Sequence, residues 1–232
     1  MNKIVLVTGA TGSLGPTVVE SFLKANAKVV ATFTSEKKYR QMAGEASRPS
    51  NLSGVLTDLT NENEVKRLFA AIISEHGRLD ALCHITGGFW MGGDTSETSV
   101  DNWNKMMNLN LHSAFFCVRE AFGIMKKQKE GHIITVSAKT ALDLPAGMGA
   151  YSVSKAAMLA LTEVLSKEGK GYNIRVNSIL PSTIDTEANR QSMPKADFAK
   201  WVTTEEIANV MVGLIRDDLA VSGTAIKMYG SV

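Results

Sequence analysis

A tyrosine and a lysine four residues apart, Tyr151 and Lys155, carry the clearest chemistry in this 232-residue sequence. Their segment reads as helix. Residues i and i+4 share a helical face, so both side chains reach one site. A phenol titrates at about 10 in water, and a neighbouring ammonium favours the phenolate and lowers that value. A tyrosine tuned this way exchanges a proton with a substrate oxygen or nitrogen near neutral pH. The pair alone also fits a packed tyrosine beside a solvated lysine. Its place after the fifth strand of an alternating pattern favours the chemistry.

A second group lies near the start. The first strand ends in Thr8-Gly9-Ala10-Thr11-Gly12-Ser13-Leu14-Gly15, and a helical pattern follows. Gly9 permits a tight turn, Gly12 lets a pyrophosphate approach the backbone, and Gly15 lets the helix pack closely on the strand. Free N–H groups at a helix start favour an anion. A dinucleotide cofactor bound by Gly9, Thr11, Gly12, Ser13, Leu14 and Gly15 is therefore expected; a purely structural turn is the alternative. The ribose of such a cofactor lies at the end of the second strand, where a carboxylate would take the 2′-hydroxyl of NAD. Here the run is Thr32-Phe33-Thr34-Ser35, with Glu36 only afterwards and Lys37, Lys38 and Arg40 close behind. Nothing at Thr34 repels a 2′-phosphate and the cations attract one, so NADP is preferred over NAD. The same cations also suit the start of a solvated helix.

These groups need a frame. Candidate strands span 4–8, 28–32, 54–57, 81–85, 132–137, 174–180 and 225–228, and helical patterns span 14–25, 64–75, 103–126, 150–168 and 205–216. Strands alternating with helices predict an α/β fold, a doubly wound parallel sheet of about seven strands with helices on both faces, of the Rossmann type. Residues 1–232 read as one domain with a built-in substrate loop at about 182–203. The loops 86–99 and 181–194 follow strand carboxyl ends, where open α/β sheets bind ligands.

Bulk properties narrow the function classes. The formal charge of +2 is nearly balanced, which points to neither a nucleic-acid nor a membrane-surface partner. Cys83 and Cys117 form no C-x-x-C pair, and His76, His84, His112 and His132 are scattered, so no metal site is expected. His84 ends the fourth strand and reads as a packing or hydrogen-bonding residue. No signal peptide or spanning segment is evident, which makes the cytoplasm the expected compartment.

Together these residues resemble the short-chain dehydrogenase/reductase family over essentially the whole chain, from Thr8-Gly9 to Ser222-Gly223-Thr224. The resemblance implies an NAD(P)-dependent oxidoreductase in which Tyr151 is the acid/base. Lys155 would bind the nicotinamide ribose and lower the tyrosine pKa. Asn110, in Asn108-Leu109-Asn110-Leu111, would hold a proton-relay water. It also implies that Asp58, in Thr57-Asp58-Leu59-Thr60, contacts the adenine, with Leu59 beside it in the cofactor-binding set. Thr86 and Gly87 fall in that set, and Pro181, Ile184 and Thr186 match the stretch that holds the carboxamide. A homodimer or homotetramer built on the two long helices is implied as well.

Four departures stand out. Ser13 occupies the position of the usual middle glycine, His84-Ile85-Thr86-Gly87 replaces Asn-Asn-Ala-Gly, and Ser182 follows Pro181 where glycine is common. Ala138 sits where the family has its catalytic serine, and the adjacent Ser137 is a candidate substitute. One branch of the family works without that serine. The segments 137–143, 147–151, 180–186 and 189–198, with Gly87-Gly88-Phe89-Trp90, resemble its dihydropteridine reductases, although that branch prefers NADH. Phe89, Trp90, Met91 and Met148 would line a pocket for a planar ring, or form a lid for any apolar substrate. The expected function is hydride transfer to a small-molecule carbonyl or pterin-like conjugated imine, with Tyr151 as proton donor. A catalytically impaired dinucleotide-binding redox sensor is the alternative.

Overall fold

Ile4, Val5, Leu6, Val7 and Thr8 are all buried, the mark of a strand covered on both faces by helices. A computed structural model describes residues 2–231. In chain order they form β1 (Ile4–Thr8), α1 (Gly15–Lys24), β2 (Lys28–Phe33), α2 (Glu36–Gly44), β3 (Leu52–Leu56) and α3 (Glu62–His76). Then come β4 (Ala81–His84), α4 (Val100–Met106), a π-helical segment (Met107–His112), α5 (Ser113–Gln128), β5 (Gly131–Val136), α6 (Thr140–Asp143) and α7 (Gly149–Gly169). The last are β6 (Ile174–Pro181), β7 (Ile184–Asp185), α8 (Glu187–Ser192), β8 (Val202–Thr203), α9 (Thr204–Leu214) and β9 (Ala225–Met228).

Seven strands form one parallel sheet in the order β3-β2-β1-β4-β5-β6-β9. The alternation of β1 sorts its side chains between two cores. Val5 and Val7 face α1 and α9, joining Val18, Phe22, Ile207 and Met211. Ile4 and Leu6 face the other layer, joining Leu68, Phe69, Val118 and Met125 of α3 and α5. Each fully buried Leu or Phe contributes about 1.5–3 kcal/mol. Helix ends are set locally. Asn61 accepts from the Asn63 and Glu64 N–H groups to start α3, and Thr203 with Glu206 forms a capping box on α9.

The chain runs outward from β1 to β3, then crosses to β4 and continues to β9. That reversal opens a crevice at the carboxyl ends of β1 and β4. The expected sheet is thus present. The loop expected at 181–194 instead contains β7 and α8, and β7 pairs with β8 in a small second sheet. The helix expected over 103–126 is interrupted by the π-helical segment. Helix α2, whose start the cations of 37–40 suggested, lays Tyr39 and Met42 on the core beside β2.

Candidate active site

The turn after β1 is as tight as its glycines suggest. Gly9 has φ of 65°, and a Cβ on Gly15 would stand 2.2 Å from the Ala10 carbonyl oxygen. The turn is braced by Gly9 N–H on the Thr32 hydroxyl (3.2 Å), Ala10 N–H on Thr32 O (3.1 Å) and Gly12 N–H on Gly9 O (3.0 Å). The N–H groups of Thr11, Ser13 and Leu14 have no partner among the described residues. They precede a ten-residue helix, so unpaired donors and the positive helix end converge. The Thr86 hydroxyl is buried and also without a partner, next to Gly9. These features fit the pyrophosphate and inner ribose of a dinucleotide.

Lys155 and Asn110 meet at Gly87. A Cβ there would lie 3.0 Å from Lys155 Nζ and 2.9 Å from Asn110 Oδ1, so only a bare backbone passes between them. Lys155 is buried and donates to the Val136 carbonyl at the end of β5 (2.8 Å). Burial lowers its pKa from 10.5 to about 8. Asn110 accepts from Gly88 N–H (2.7 Å) and donates to Gly88 O (3.1 Å) and to the Ser154 hydroxyl (3.0 Å). Ser154 donates in turn to the Tyr151 carbonyl (2.7 Å). Ser154 was not anticipated, although it sits inside the Tyr-x-x-x-Lys segment, three residues after Tyr151 and on a neighbouring helical position.

Tyr151 has no hydroxyl partner among the described residues, and Phe89 meets its ring edge-on with centroids 5.0 Å apart. The expected lowering of its pKa by Lys155 does not occur. Burial pushes the phenol up to about 12, while the ammonium donates to Val136 O. The phenol is therefore held protonated, the form needed to donate a proton.

The remaining residues spread along the strand ends. Ser137 is buried and its hydroxyl donates to the Lys155 carbonyl (2.9 Å), inside the protein rather than toward the crevice. Ala138 is 7% exposed and brings no polar side-chain atom. Pro181 ends β6, Ile184 lies in β7, and Thr186 caps α8 by accepting from Asn189 N–H. Ser182 has a use that glycine lacks: its hydroxyl donates to Tyr229 O (3.0 Å) while its N–H donates to Met228 O (2.9 Å). On the far side, Thr34 is exposed beyond β2, and Lys37, Lys38 and Arg40 are exposed on α2. Arg40 is paired with Glu36. One oxygen of Asp58 accepts from Thr60 N–H and hydroxyl, and the Leu59 side chain lies in the core, leaving its backbone for a ligand. Lys155, Asn110, Gly87 and Tyr151 thus gather on one side, and Thr34, Asp58 and Leu59 lie on the other. No cluster of metal ligands occurs among the described residues, nor any helix long and apolar enough to cross a membrane.

Known proteins resemble this chain in sequence and fold. The profile of the short chain dehydrogenase family matches residues 3–197. The 3-oxoacyl-(acyl-carrier-protein) reductase of Thermotoga maritima is 25% identical over 240 residues, covering 99% of this chain and 97% of its own. The acetoacetyl-CoA reductase of an Acinetobacter species is 28% identical over 242 residues, with 99% and 97% covered. The solved structure of ElxO with NADP bound superposes with a TM-score of 0.92 at 27% identity, covering 98% of this chain and 97% of that one.

Proposed function

This chain belongs to the short-chain dehydrogenase family, and we propose that it is an NADPH-dependent reductase in which Tyr151 protonates the acceptor as a carbonyl or conjugated imine carbon takes a hydride. The observation that carries this reading is the meeting of Lys155 and Asn110 over Gly87, one helical turn from a protonated Tyr151. Reduced nicotinamide, when bound, supplies the hydride. The turn Gly9 to Gly15 would hold the pyrophosphate, with Thr86 on the inner ribose. Lys155 would take the hydroxyls of the nicotinamide ribose, and Pro181, Ile184 and Thr186 would bound the carboxamide. Asp58 and Leu59 would flank the adenine. Tyr151 donates its hydroxyl proton to the acceptor oxygen or nitrogen, and Asn110 supports a water that returns a proton to the site.

NADP is preferred because Thr34 offers no carboxylate against a 2′-phosphate and exposed cations follow it; the similar ElxO holds NADP. Ser137 acts here as a positioning residue, since its hydroxyl braces the turn of α7 that carries Lys155. With Ala138 in place of a hydroxyl, the acceptor is held by shape. The Phe89 ring, 62% exposed and edge-on to Tyr151, suits a flat conjugated acceptor such as a pterin-like ring. Exposed Trp103, Phe115, Val153 and Val164 on α4, α5 and α7 support a homodimer or homotetramer.

The test is Tyr151→Phe. NADPH oxidation should fall by about a hundredfold or more while the NADPH dissociation constant stays within about twofold, since the hydroxyl alone is removed. Undiminished turnover would reject the assignment. A second reading, a dinucleotide-binding redox sensor, is favoured by Ala138 and by the altered segment His84-Ile85-Thr86-Gly87. Tight NADPH binding with no turnover across quinones, diketones, 3-ketoacyl esters and quinonoid dihydropterin would select it.

A further inference from the structure

His84 is buried at the end of β4, and the proposed reaction leaves its imidazole unused. It stands between two hydroxyls that are themselves fully buried: Thr8 Oγ1 at 3.1 Å from Nδ1 and Ser113 Oγ at 3.4 Å from Nε2. We propose that His84 is a positioning residue that ties the root of the glycine-rich turn to the π-helical segment and so fixes Asn110. The inference rests on the reductase reading and assigns a role within that same site.

The direction of each hydrogen bond follows from the partners. Thr8 Oγ1 accepts from Ile85 N–H (3.2 Å) and Thr86 N–H (3.4 Å), so its own proton is free for Nδ1. Ser113 donates its proton to the Leu109 carbonyl (2.6 Å), so its oxygen accepts from Nε2–H. The imidazole is then the neutral Nε2–H tautomer, bridging an O–H donor and an oxygen acceptor. Burial, with the nearby Lys155 charge adding to it, lowers the ring's pKa to about 3 and keeps it in that form.

The bridge matters because of where Ser113 sits. Its N–H reaches back five residues to Asn108 O, the π register, which deprives Leu109 O of the Ser113 N–H that an α-helix would supply. The Ser113 hydroxyl fills that place. Holding Leu109 O holds the turn in which Asn110 grips Gly88 and Ser154. An asparagine at position 84 reaches Thr8 but is too short for Ser113, so the imidazole supplies the second link.

The experiment uses the full chain, as wild type, Ser113→Ala and His84→Asn. Nitrogen NMR of the wild type should show His84 as neutral Nε2–H from pH 8 to 5; an Nδ1–H tautomer, or titration in that range, overturns the proposal. Ser113→Ala and His84→Asn should each lower kcat about tenfold, the factor one ordinary hydrogen bond is worth. KM and the NADPH dissociation constant should stay within about twofold, and the double variant should be no worse than either single one. A lower melting temperature with unchanged kcat is the result of packing alone and also overturns it. If the wild type turns over no acceptor, the reductase reading fails separately. Amide hydrogen exchange over 107–113 then decides: faster exchange in Ser113→Ala supports the bridge, and equal exchange overturns it.

Discussion

Lys155 has three N–H donors and, among the described residues, one acceptor, the Val136 carbonyl, in a largely buried place. Its fall from 10.5 to about 8 corresponds to about 3 kcal/mol of destabilisation at neutral pH. Lys155→Met, which keeps the length and removes the charge, should therefore raise the melting temperature at pH 7 while abolishing NADPH-driven turnover. The sign is fixed by linkage: the unfolded lysine holds its proton up to 10.5, the folded one only to about 8. The advantage of methionine should be full below about 8 and fade as pH rises to 10.5. A lower melting temperature in the variant would mean that the bond to Val136 O outweighs burial. At this scale the sequence was informative about which residues meet, because helical spacing fixes Tyr151 and Lys155 on one face. On protonation it pointed the wrong way, toward a phenol lowered by Lys155. The phenol's rise to about 12 comes from burial, and burial depends on neighbours such as Phe89 from a distant loop.

Elements place these groups by caps and close contacts. Gly15→Ala puts a methyl carbon 2.2 Å from Ala10 O, a backbone atom that cannot swing aside. Either α1 moves off the turn or the turn opens. Both lower the melting temperature and weaken NADPH binding by about tenfold or more, as calorimetric titration would show, through displacement of the N–H groups of Thr11, Ser13 and Leu14. Unchanged affinity would mean that these donors do not hold the cofactor. Strands β1, β4, β5 and β6 were readable from the sequence because burial on both faces leaves near-continuous apolar runs. The half-exposed β3 was blurred because its burial does not alternate cleanly, and α2 because it is short and polar overall. Short β7, β8 and α8 were hidden: they are stabilised by contacts such as Asp185 with Arg190 and Asn189 with Ile184 O, which local composition does not announce. The π-helical turn escaped for a related reason, as it depends on Ser113 and His84 from separate elements.

Across the whole molecule, two histidines are carried neutral into the fold. His132, buried near Lys3 and Arg175, is lowered to about 4 mainly by burial; Asp217, 3.8 Å away, pulls the other way and loses. His84 is lowered to about 3. Unfolded, each takes a proton near 6.5 while the folded form refuses it. Stability should thus be unaffected by these groups above 6.5 and fall below it, by about 1.4 kcal/mol per pH unit for each. The contribution of His132 levels off below about 4 and that of His84 below about 3. Chemical denaturation at a series of pH values measures the slope, and replacing His132 with Gln should reduce it. An unchanged slope between 6.5 and 4 would remove His132 from the acid sensitivity.

The strand order has one more consequence. Thr34 follows β2 and the Lys155 anchor ends β5, three strand spacings or about 14 Å away. Coenzyme preference and acceptor preference are therefore written in separate places and can drift apart without mutual penalty. Thr34→Asp should weaken NADPH by about tenfold or more while sparing NADH, through repulsion of the 2′-phosphate. The ranking of acceptors should be unaltered, and a reordered ranking would show that the two ends of the crevice are not independent. An organism whose reductant supply changes would need to edit only one rim of this protein, leaving the opposite rim to follow whatever metabolite it already accepts.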